Sequence, residues 1–131
     1  MDHALIEEAT RRSGVVWVAP AAGGREQAVW HLWHQGAAYV VTGGAEQPWP
    51  DVSGRVLVTV RSRERQAGQV VRWAAAVEQV AAGGALWDEV VPLLAAQRLN
   101  APDGQRQPER WARESRVLRL APDGGPGSGL G

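Results

Sequence analysis

The strongest pattern of apolar and polar positions surrounds Gln35-Gly36 and predicts a β-hairpin. Gln35-Gly36 reads as the turn, because apolar, aromatic and β-branched residues flank it on both sides. With a two-residue turn, Leu32 faces Tyr39 and Trp30 faces Val41. Since side chains alternate along a strand, one face carries Trp30, Leu32, Tyr39 and Val41, and the other carries Val29, His31, Trp33, Ala38 and Val40. Both faces are apolar, so this hairpin needs cover on both sides.

The rest of the chain shows the same two kinds of pattern. Helical periodicity predicts helices over 2–13, 86–99 and 108–114, and apolar stretches predict strands over 15–19, 55–61, 69–80 and 115–121. Pro92 lies inside the second helical pattern and predicts a kink or a fresh first turn. The connection 43–54 contains Pro48 and Pro50, which oppose a regular helix.

Together with the hairpin, these elements predict an α+β protein with a six-stranded antiparallel sheet. The links between the first five strands are short or loop-like, which favours antiparallel pairing over crossover helices. Six strands with mixed faces close best as a small split β-barrel with peripheral helices. We expect one barrel domain over residues 1–121 and a disordered, Gly/Pro-rich tail over residues 122–131.

Composition mainly excludes classes of function. The 131 residues include no cysteine, so disulfides and thiolate metal sites are absent. All 14 basic residues are arginine and they balance 14 acidic residues, which makes a nucleic-acid partner unexpected. No apolar run reaches the length of a membrane span and no leader peptide is visible, so we expect no membrane partner and a cytoplasmic protein.

The sequence Ala-Val-Trp-His-Leu-Trp-His-Gln-Gly-Ala-Ala-Tyr-Val-Val-Thr-Gly, residues 28–43, together with the order of elements, resembles the pyridoxamine 5'-phosphate oxidase-like split β-barrels. That superfamily includes flavin (FMN)-binding oxidases and deazaflavin (F420)-dependent reductases. The resemblance implies a homodimer with cofactor sites in the grooves between subunits. One face of the hairpin would then fill the barrel, and the other would meet the partner or the isoalloxazine ring.

The resemblance also implies where a cofactor would bind. The family's contacts come from backbone on the second strand and from side chains at the end of the third. By position, these residues are Ala28, Val29, Trp30, Thr42, Gly43 and Gly44.

The next residues depart from the family's pattern. Flavin-binding members carry a basic, helical run there that binds the phosphate, whereas this chain has Ala45-Glu46-Gln47-Pro48. A phosphate beside Glu46 would be poorly held. Arg25, Arg61 and Arg63 are the candidate substitutes from neighbouring strand ends, and Trp49, on the proline-flanked loop, is a candidate to cover a ligand.

Two hypotheses therefore remain open. The chain is a small oxidoreductase that moves a hydride between FMN or F420 and an organic substrate, or it is a cofactor-free binding module that has lost the phosphate site. No nucleophile constellation stands out, so any redox chemistry would belong to a bound cofactor. His31 and His34 are three apart on a strand and point to opposite faces, so no metal site is predicted.

Overall fold

The computed structural model describes residues 3–44, 46–49, 54–61, 70–97 and 106–123. Its helices and strands, in chain order, are α1 (His3–Arg12), β1 (Val15–Pro20), β2 (Gln27–Trp30), β3 (Leu32–His34), β4 (Ala37–Thr42), β5 (Arg55–Arg61), β6 (Val70–Gln79), α2 (Ala85–Gln97), α3 (Gln107–Glu114) and β7 (Arg116–Pro122). Within this part of the chain, no helix is long and apolar enough to cross a membrane. Most of the expected tail, residues 124–131, lies outside the described residues.

The seven strands form one antiparallel sheet in the order β2-β1-β5-β6-β7-β4-β3. The two edge strands, β2 and β3, are consecutive in the chain and only His31 separates them. One bent segment therefore belongs to both edges of the sheet. The sheet curls until these edges meet, which gives a nearly closed barrel and confirms the α+β class with peripheral helices.

The prediction of six strands is wrong by one, because the predicted second strand changes its partner at His31. β3 pairs with β4 in the predicted register. The turn between them has positive φ angles of 46° at Gln35 and 83° at Gly36, which suits a two-residue hairpin turn. β2 pairs instead with β1, so that Trp30 lies opposite Val15 and not opposite Val41.

An inner cluster of buried side chains fills the barrel. Alternate residues of the strands point inward, as period-two patterning requires, and Ile6 and Ala9 of α1 close one end of the cluster. Trp73 meets Trp33 edge to face, with ring centroids 6.1 Å apart. The inner cluster consists of Ile6, Ala9, Val16, Val18, Val29, Ala38, Val40, Val56, Val58, Val60, Val71, Trp73, Ala75, Leu118 and Leu120.

A second, outer cluster forms where α2 and α3 cover the outer face of β4 and β7. It consists of Ala37, Tyr39, Val41, Val80, Trp87, Val90, Val91, Leu94, Trp111 and Val117. Helix α2 runs on through Pro92, so the fresh turn expected there is not seen. The chain's own helices bury Tyr39 and Val41 to 2% and 0% exposure. The expectation that a partner or an isoalloxazine ring covers this face of the hairpin is wrong for these residues.

Candidate functional site

Within the described ranges, no helix covers the outer face of β1, β5 and the start of β6, and Trp30 of β2 lies where this face borders the outer cluster. On this face, Trp30 lies opposite Val15. The β1–β5 register, continued by two residues, places Val15 level with Arg61. Arg61 in turn lies opposite Val70. We call these four residues the outer rung. Val15 is 43% exposed and Val70 is 36% exposed. Since neighbouring strands are about 4.8 Å apart, the backbones of Trp30 and Arg61 are separated by about 10 Å.

Arg61 supplies the cation of the outer rung. Its Nη2 donates to Glu26 Oε1 at 2.8 Å, and its guanidinium carbon lies 5.1 Å from the centroid of the Trp17 ring. The arginine side chain is 42% exposed, so an incoming anion would reach it from solvent. The carboxylate and the aromatic face hold the guanidinium in place on the outer face of the sheet.

The other predicted residues of this region are distributed over several environments. Ala28 is half-buried on the same outer face, next to Trp17 in the β1–β2 register. Val29 points into the inner cluster. Trp49 is half-buried against the inner cluster, and Arg25 is exposed just before β2. Arg63 lies outside the described residues.

The end of β4 does not offer an open phosphate cradle. Thr42 is 0% exposed and follows the inward alternation of its strand. Its hydroxyl has no hydrogen-bond partner among the described residues. Gly44 has a φ of +60°, and a Cβ built on it would lie 2.8 Å from the carbonyl oxygen of Glu114. Gly43 and Gly44 therefore form a turn that packs on the junction between α3 and β7.

Glu46, the acidic residue that argues against a phosphate site, forms a buried ion pair. Arg110 Nη2 lies 3.1 Å from Glu46 Oε2, and the two side chains are 10% and 1% exposed. Arg110 lies on the buried face of α3 with Gln107 and Trp111, as the helical spacing of three and four residues requires. A buried ion pair holds its charges in place but adds little net stability. Glu46 therefore anchors the 43–47 turn to α3 and does not project into solvent.

Gln47 completes the barrel wall at the point where β2 and β4 do not pair. Its side-chain Oε1 accepts from the Trp30 backbone N–H at 2.8 Å, and its Nε2 donates to the Trp30 carbonyl at 2.9 Å. The Gln47 backbone is bridged to Thr42, and its carbonyl accepts from the N–H of Gly43 at 3.1 Å. A side-chain amide thus takes the place that a neighbouring strand would occupy.

His31 lies at the bend between β2 and β3 and is bonded to both flanking helices. Its Nε2 bonds the Thr10 carbonyl of α1 at 2.7 Å, and Gln97 of α2 donates to the His31 carbonyl. Trp73 Nε1 donates to Thr10 Oγ1 at 3.1 Å, which extends the network across the barrel. Burial lowers the pKa of His31 below its ordinary value of 6.5, although the bond to Thr10 opposes that shift. The imidazole is therefore neutral at neutral pH, with Nε2–H as the donor.

The second histidine serves a different contact. His34 Nε2 lies 2.6 Å from Glu89 Oε2, so the hairpin turn is tied to α2. His31 bonds Thr10 of α1, whereas the ring of His34 packs against Tyr39 of the outer cluster, so the two histidines point to opposite sides, as predicted. Within the described ranges, no group of three or more histidine, aspartate or glutamate side chains could hold a metal ion.

The outer rung has the chemistry of a binding surface. A planar aromatic ligand would contact Trp30 and Val15, and its anionic group would reach Arg61. Sequence reasoning selected Trp30 and Arg61. It did not identify the partners of Gln47, Arg110 and His31, because a polar residue in a loop, on a helix or within an alternating strand carries no signal of its partner.

The comparisons with known proteins support the fold. No protein-family model matches the chain, and no curated protein matches it. Among solved structures, it is similar to HutZ, the heme storage protein from Vibrio cholerae, with a TM-score of 0.61, 16% sequence identity, and coverage of 95% of this chain and 93% of that one.

A second similar structure is a provisionally assigned pyridoxamine 5'-phosphate oxidase from Corynebacterium glutamicum, with a TM-score of 0.57 and 15% identity. This match covers 94% of this chain and 85% of that one. At such identities the likeness shows the fold alone. The chain thus shares the split-barrel fold of these two structures.

Proposed function

We propose that this chain is a homodimeric split-barrel protein that binds FMN or F420 at the outer rung and acts as a small oxidoreductase. The supporting observation is that Trp30 and Arg61, an aromatic residue and an exposed cation, lie on the same uncovered rung of the sheet. The two similar structures carry names that refer to a heme storage protein and to an oxidase. Both names are compatible with a cofactor site on this fold.

The residues fit one part of a flavin better than another. The outer rung offers an apolar surface to a ring and one arginine to a phosphate. The turn at Gly43-Gly44 does not fit a phosphate, because the carbonyl of Glu114 fills the Cβ side of Gly44. When bound, a flavin or deazaflavin would supply hydride transfer. The side chains of the outer rung would bind and orient it, and Arg61 would leave Glu26 to meet the anion.

The proposed dimer would pack on the uncovered outer face. Besides Trp30, the apolar residues on this face that are at least partly exposed are Val15, Trp17, Ala28, Leu57, Val70, Ala74 and Ala76. Arg61 and Arg72 border them, which is the composition of an interface with an apolar centre and a polar rim. A partner there would also exclude water from one side of the outer rung.

A titration tests the proposal. The protein is purified from a host that makes F420, its visible absorbance is recorded, and FMN and F420 are then added while tryptophan fluorescence is followed. We expect quenching at micromolar cofactor, and an affinity about ten-fold weaker in Arg61→Ala, because a charge-assisted bond to phosphate contributes about 1.5–3 kcal/mol. Arg113→Ala, which removes an exposed, glutamate-paired arginine of α3, is the matched control and should bind like the unmodified chain.

The absence of a chromophore, together with no quenching at tens of micromolar of either cofactor, would overturn the oxidoreductase proposal. Haemin forms a third arm of the titration, since one similar structure is a heme storage protein. Equal losses of affinity in Arg61→Ala and Arg113→Ala would show that Arg61 holds no specific phosphate.

A second candidate function is a cofactor-free binding module with the same barrel. The two bonds from Gln47 to Trp30 favour it, because they take up the backbone groups that the family resemblance assigns to cofactor contact. This candidate predicts a dimer in sedimentation that binds none of the three cofactors. The same titration therefore separates the two candidates.

A further inference from the structure

We propose that the main-chain edge of Trp30 is a recognition site for a planar ligand with a cyclic imide or lactam edge, and that the Gln47 side chain is a displaceable internal competitor for it. The inference deepens the proposed function, on which it rests, because flavin and deazaflavin rings both carry such an edge. It also reconciles cofactor binding with the two bonds that favour a cofactor-free module. A ligand would exchange with Gln47 at Trp30.

The first step of the argument is the chemistry of the contact. Gln47 presents an acceptor and a donor side by side, and Trp30 answers with its N–H at 2.8 Å and its carbonyl at 2.9 Å. An imide or lactam ring presents the same pair, with C=O next to N–H. Such a ligand would accept from the Trp30 N–H and donate to the Trp30 carbonyl. Each hydrogen bond lost to Gln47 is thereby replaced by one of the same kind.

The second step is that the Gln47 side chain is not needed to hold its own turn. Gly43 N–H donates to the Gln47 carbonyl at 3.1 Å, and Ser115 Oγ donates to the Gly43 carbonyl at 3.0 Å. The ion pair between Glu46 and Arg110 anchors the same turn to α3. The amide can therefore swing away by side-chain rotation while the backbone of Gly43, Glu46 and Gln47 remains in place.

The third step is the position of the site. The side chain of Trp30 borders the outer cluster on one side and lies opposite the exposed Val15 on the other. Both hydrogen bonds from Gln47 are only partly buried, so solvent and a ligand can approach them. The N–H and carbonyl of Trp30 point away from β1, since both bond Gln47, so a bound ring would lie at the Trp30 end of the outer rung, on the side of β2 away from Arg61.

The consequence is a reduced apparent affinity in the unmodified chain. When a binding-competent state is populated only in part, the apparent dissociation constant rises by the inverse of that fraction. Removing the Gln47 amide should therefore tighten binding of an imide ligand. Removing the Gln47 amide should not change the binding of a molecule that has no ring N–H to donate to the Trp30 carbonyl.

The probe is lumichrome, an alloxazine ring with an imide edge and no phosphate, compared with its N1,N3-dimethylated analogue, which has no ring N–H. We expect lumichrome to bind about ten-fold more tightly to Gln47→Met and to Gln47→Ala than to the unmodified chain, and the methylated analogue to show no gain. Gln47→Met keeps the length of the side chain and removes only its amide. Gln79→Ala, an exposed glutamine at the end of β6, is the matched control.

A spectroscopic measurement on the unmodified chain serves even if the variants fold poorly. On saturation with lumichrome, the Gln47 side-chain NH₂ signals should move towards those of a solvated amide, while the Trp30 backbone amide stays protected from exchange. Unchanged Gln47 signals in the bound state would overturn the inference, and so would unchanged or weaker lumichrome affinity in both folded Gln47 variants.

The test also separates this inference from the proposed function. Lumichrome has no phosphate and does not require Arg61. If lumichrome displaces Gln47 while FMN and F420 do not bind, the Trp30 edge stands and the cofactor assignment fails. If FMN or F420 binds without disturbing Gln47, the cofactor assignment stands and this inference fails.

Discussion

The outer surface of the barrel has two parts, one that helices of the chain cover and one that no described helix covers. Over β4 and β7, α2 and α3 bury large side chains completely, and Tyr39, Val41 and Trp111 are 2%, 0% and 0% exposed. Over β1, β5 and the start of β6, no helix of the described part of the chain intervenes, and Val15 and Val70 remain 43% and 36% exposed. We call these the covered and the uncovered outer face.

The difference shows that an apolar face does not by itself indicate a partner. The hairpin is apolar on both sides, yet α2 and α3 account for the outer side of β4 without any second molecule. The uncovered outer face is less apolar than the covered one, since it carries alanines and arginines beside Val15 and Trp17. Such a mixed surface is typical of association between folded proteins and less typical of a fold's own core. A partner or cofactor is therefore expected on the face that the sequence marks less strongly.

The largest expected contrast between the two faces comes from tryptophan truncation. Trp111→Ala should lower the free energy of unfolding by about 4 kcal/mol, because it empties a fully buried site of the covered face. Trp17→Ala, on the uncovered outer face, should cost about 1 kcal/mol in the monomer, since its ring is only half-buried. Urea unfolding at low protein concentration measures both. Equal costs would show that the two faces contribute alike to the folded monomer.

The ion pair that ties the 43–47 turn to the covered face should give the next effect. Glu46→Gln removes the carboxylate beside the buried Arg110 guanidinium, which should lower the free energy of unfolding by about 3 kcal/mol. The double variant Glu46→Gln/Arg110→Met should recover part of that loss, because the buried guanidinium is removed together with the carboxylate. A double-mutant cycle by urea unfolding checks both values. A double variant no more stable than the single one would mean that the pair is not coupled.

Much of the fold follows from local pattern. The strand predicted over 55–61 matches β5, and the predicted helices agree with α1, α2 and α3 to within two residues at each described end. The break at His31 could not be predicted, because alternation records which face a side chain points to and not which strand it pairs with. His31 keeps its inward position while the neighbouring strand changes from β1 to β4.

The candidate site was less predictable than the fold. Arg61 and Trp30 were chosen by analogy and by position, and the register brings them onto one rung. The role of Gln47 depends on a gap between β2 and β4 that exists only in three dimensions. Charged positions of a helix usually face solvent, whereas Arg110 is buried on α3. The amphipathic pattern of this helix therefore predicts the wrong exposure for Arg110.

His31 lies between β2 and β3, and its burial should make the free energy of unfolding depend on pH. Because burial lowers the pKa of His31 in the folded state, the unfolded chain binds the proton more readily below the ordinary value of 6.5. This contribution to stability is present above that pH and is lost as the pH falls. The slope should approach about 1.4 kcal/mol per pH unit for a group that titrates only when unfolded.

Urea unfolding between pH 7 and pH 5.5 measures this slope. His31→Gln should flatten it, since the described contacts of the imidazole, with Thr10, and of its backbone, with Gln97, are to uncharged groups. His34→Gln is the control, because His34 is half-exposed and paired with Glu89. The same slope in both variants would place the sensitivity elsewhere.

Ala74→Arg should have the smallest effect on the stability of the folded monomer and the largest effect on dimerisation. Ala74 lies exposed in the middle of β6 on the uncovered outer face, opposite Leu57. An arginine there meets solvent in the monomer, so Ala74→Arg should change the free energy of unfolding by less than about 0.5 kcal/mol. In the proposed dimer the same charge would be desolvated against an apolar surface, and sedimentation should show a monomer. Ala96→Arg, an exposed position on α2, should remain dimeric. If both variants sediment alike, the uncovered outer face is not the interface, and the comparison between the two faces loses its functional meaning.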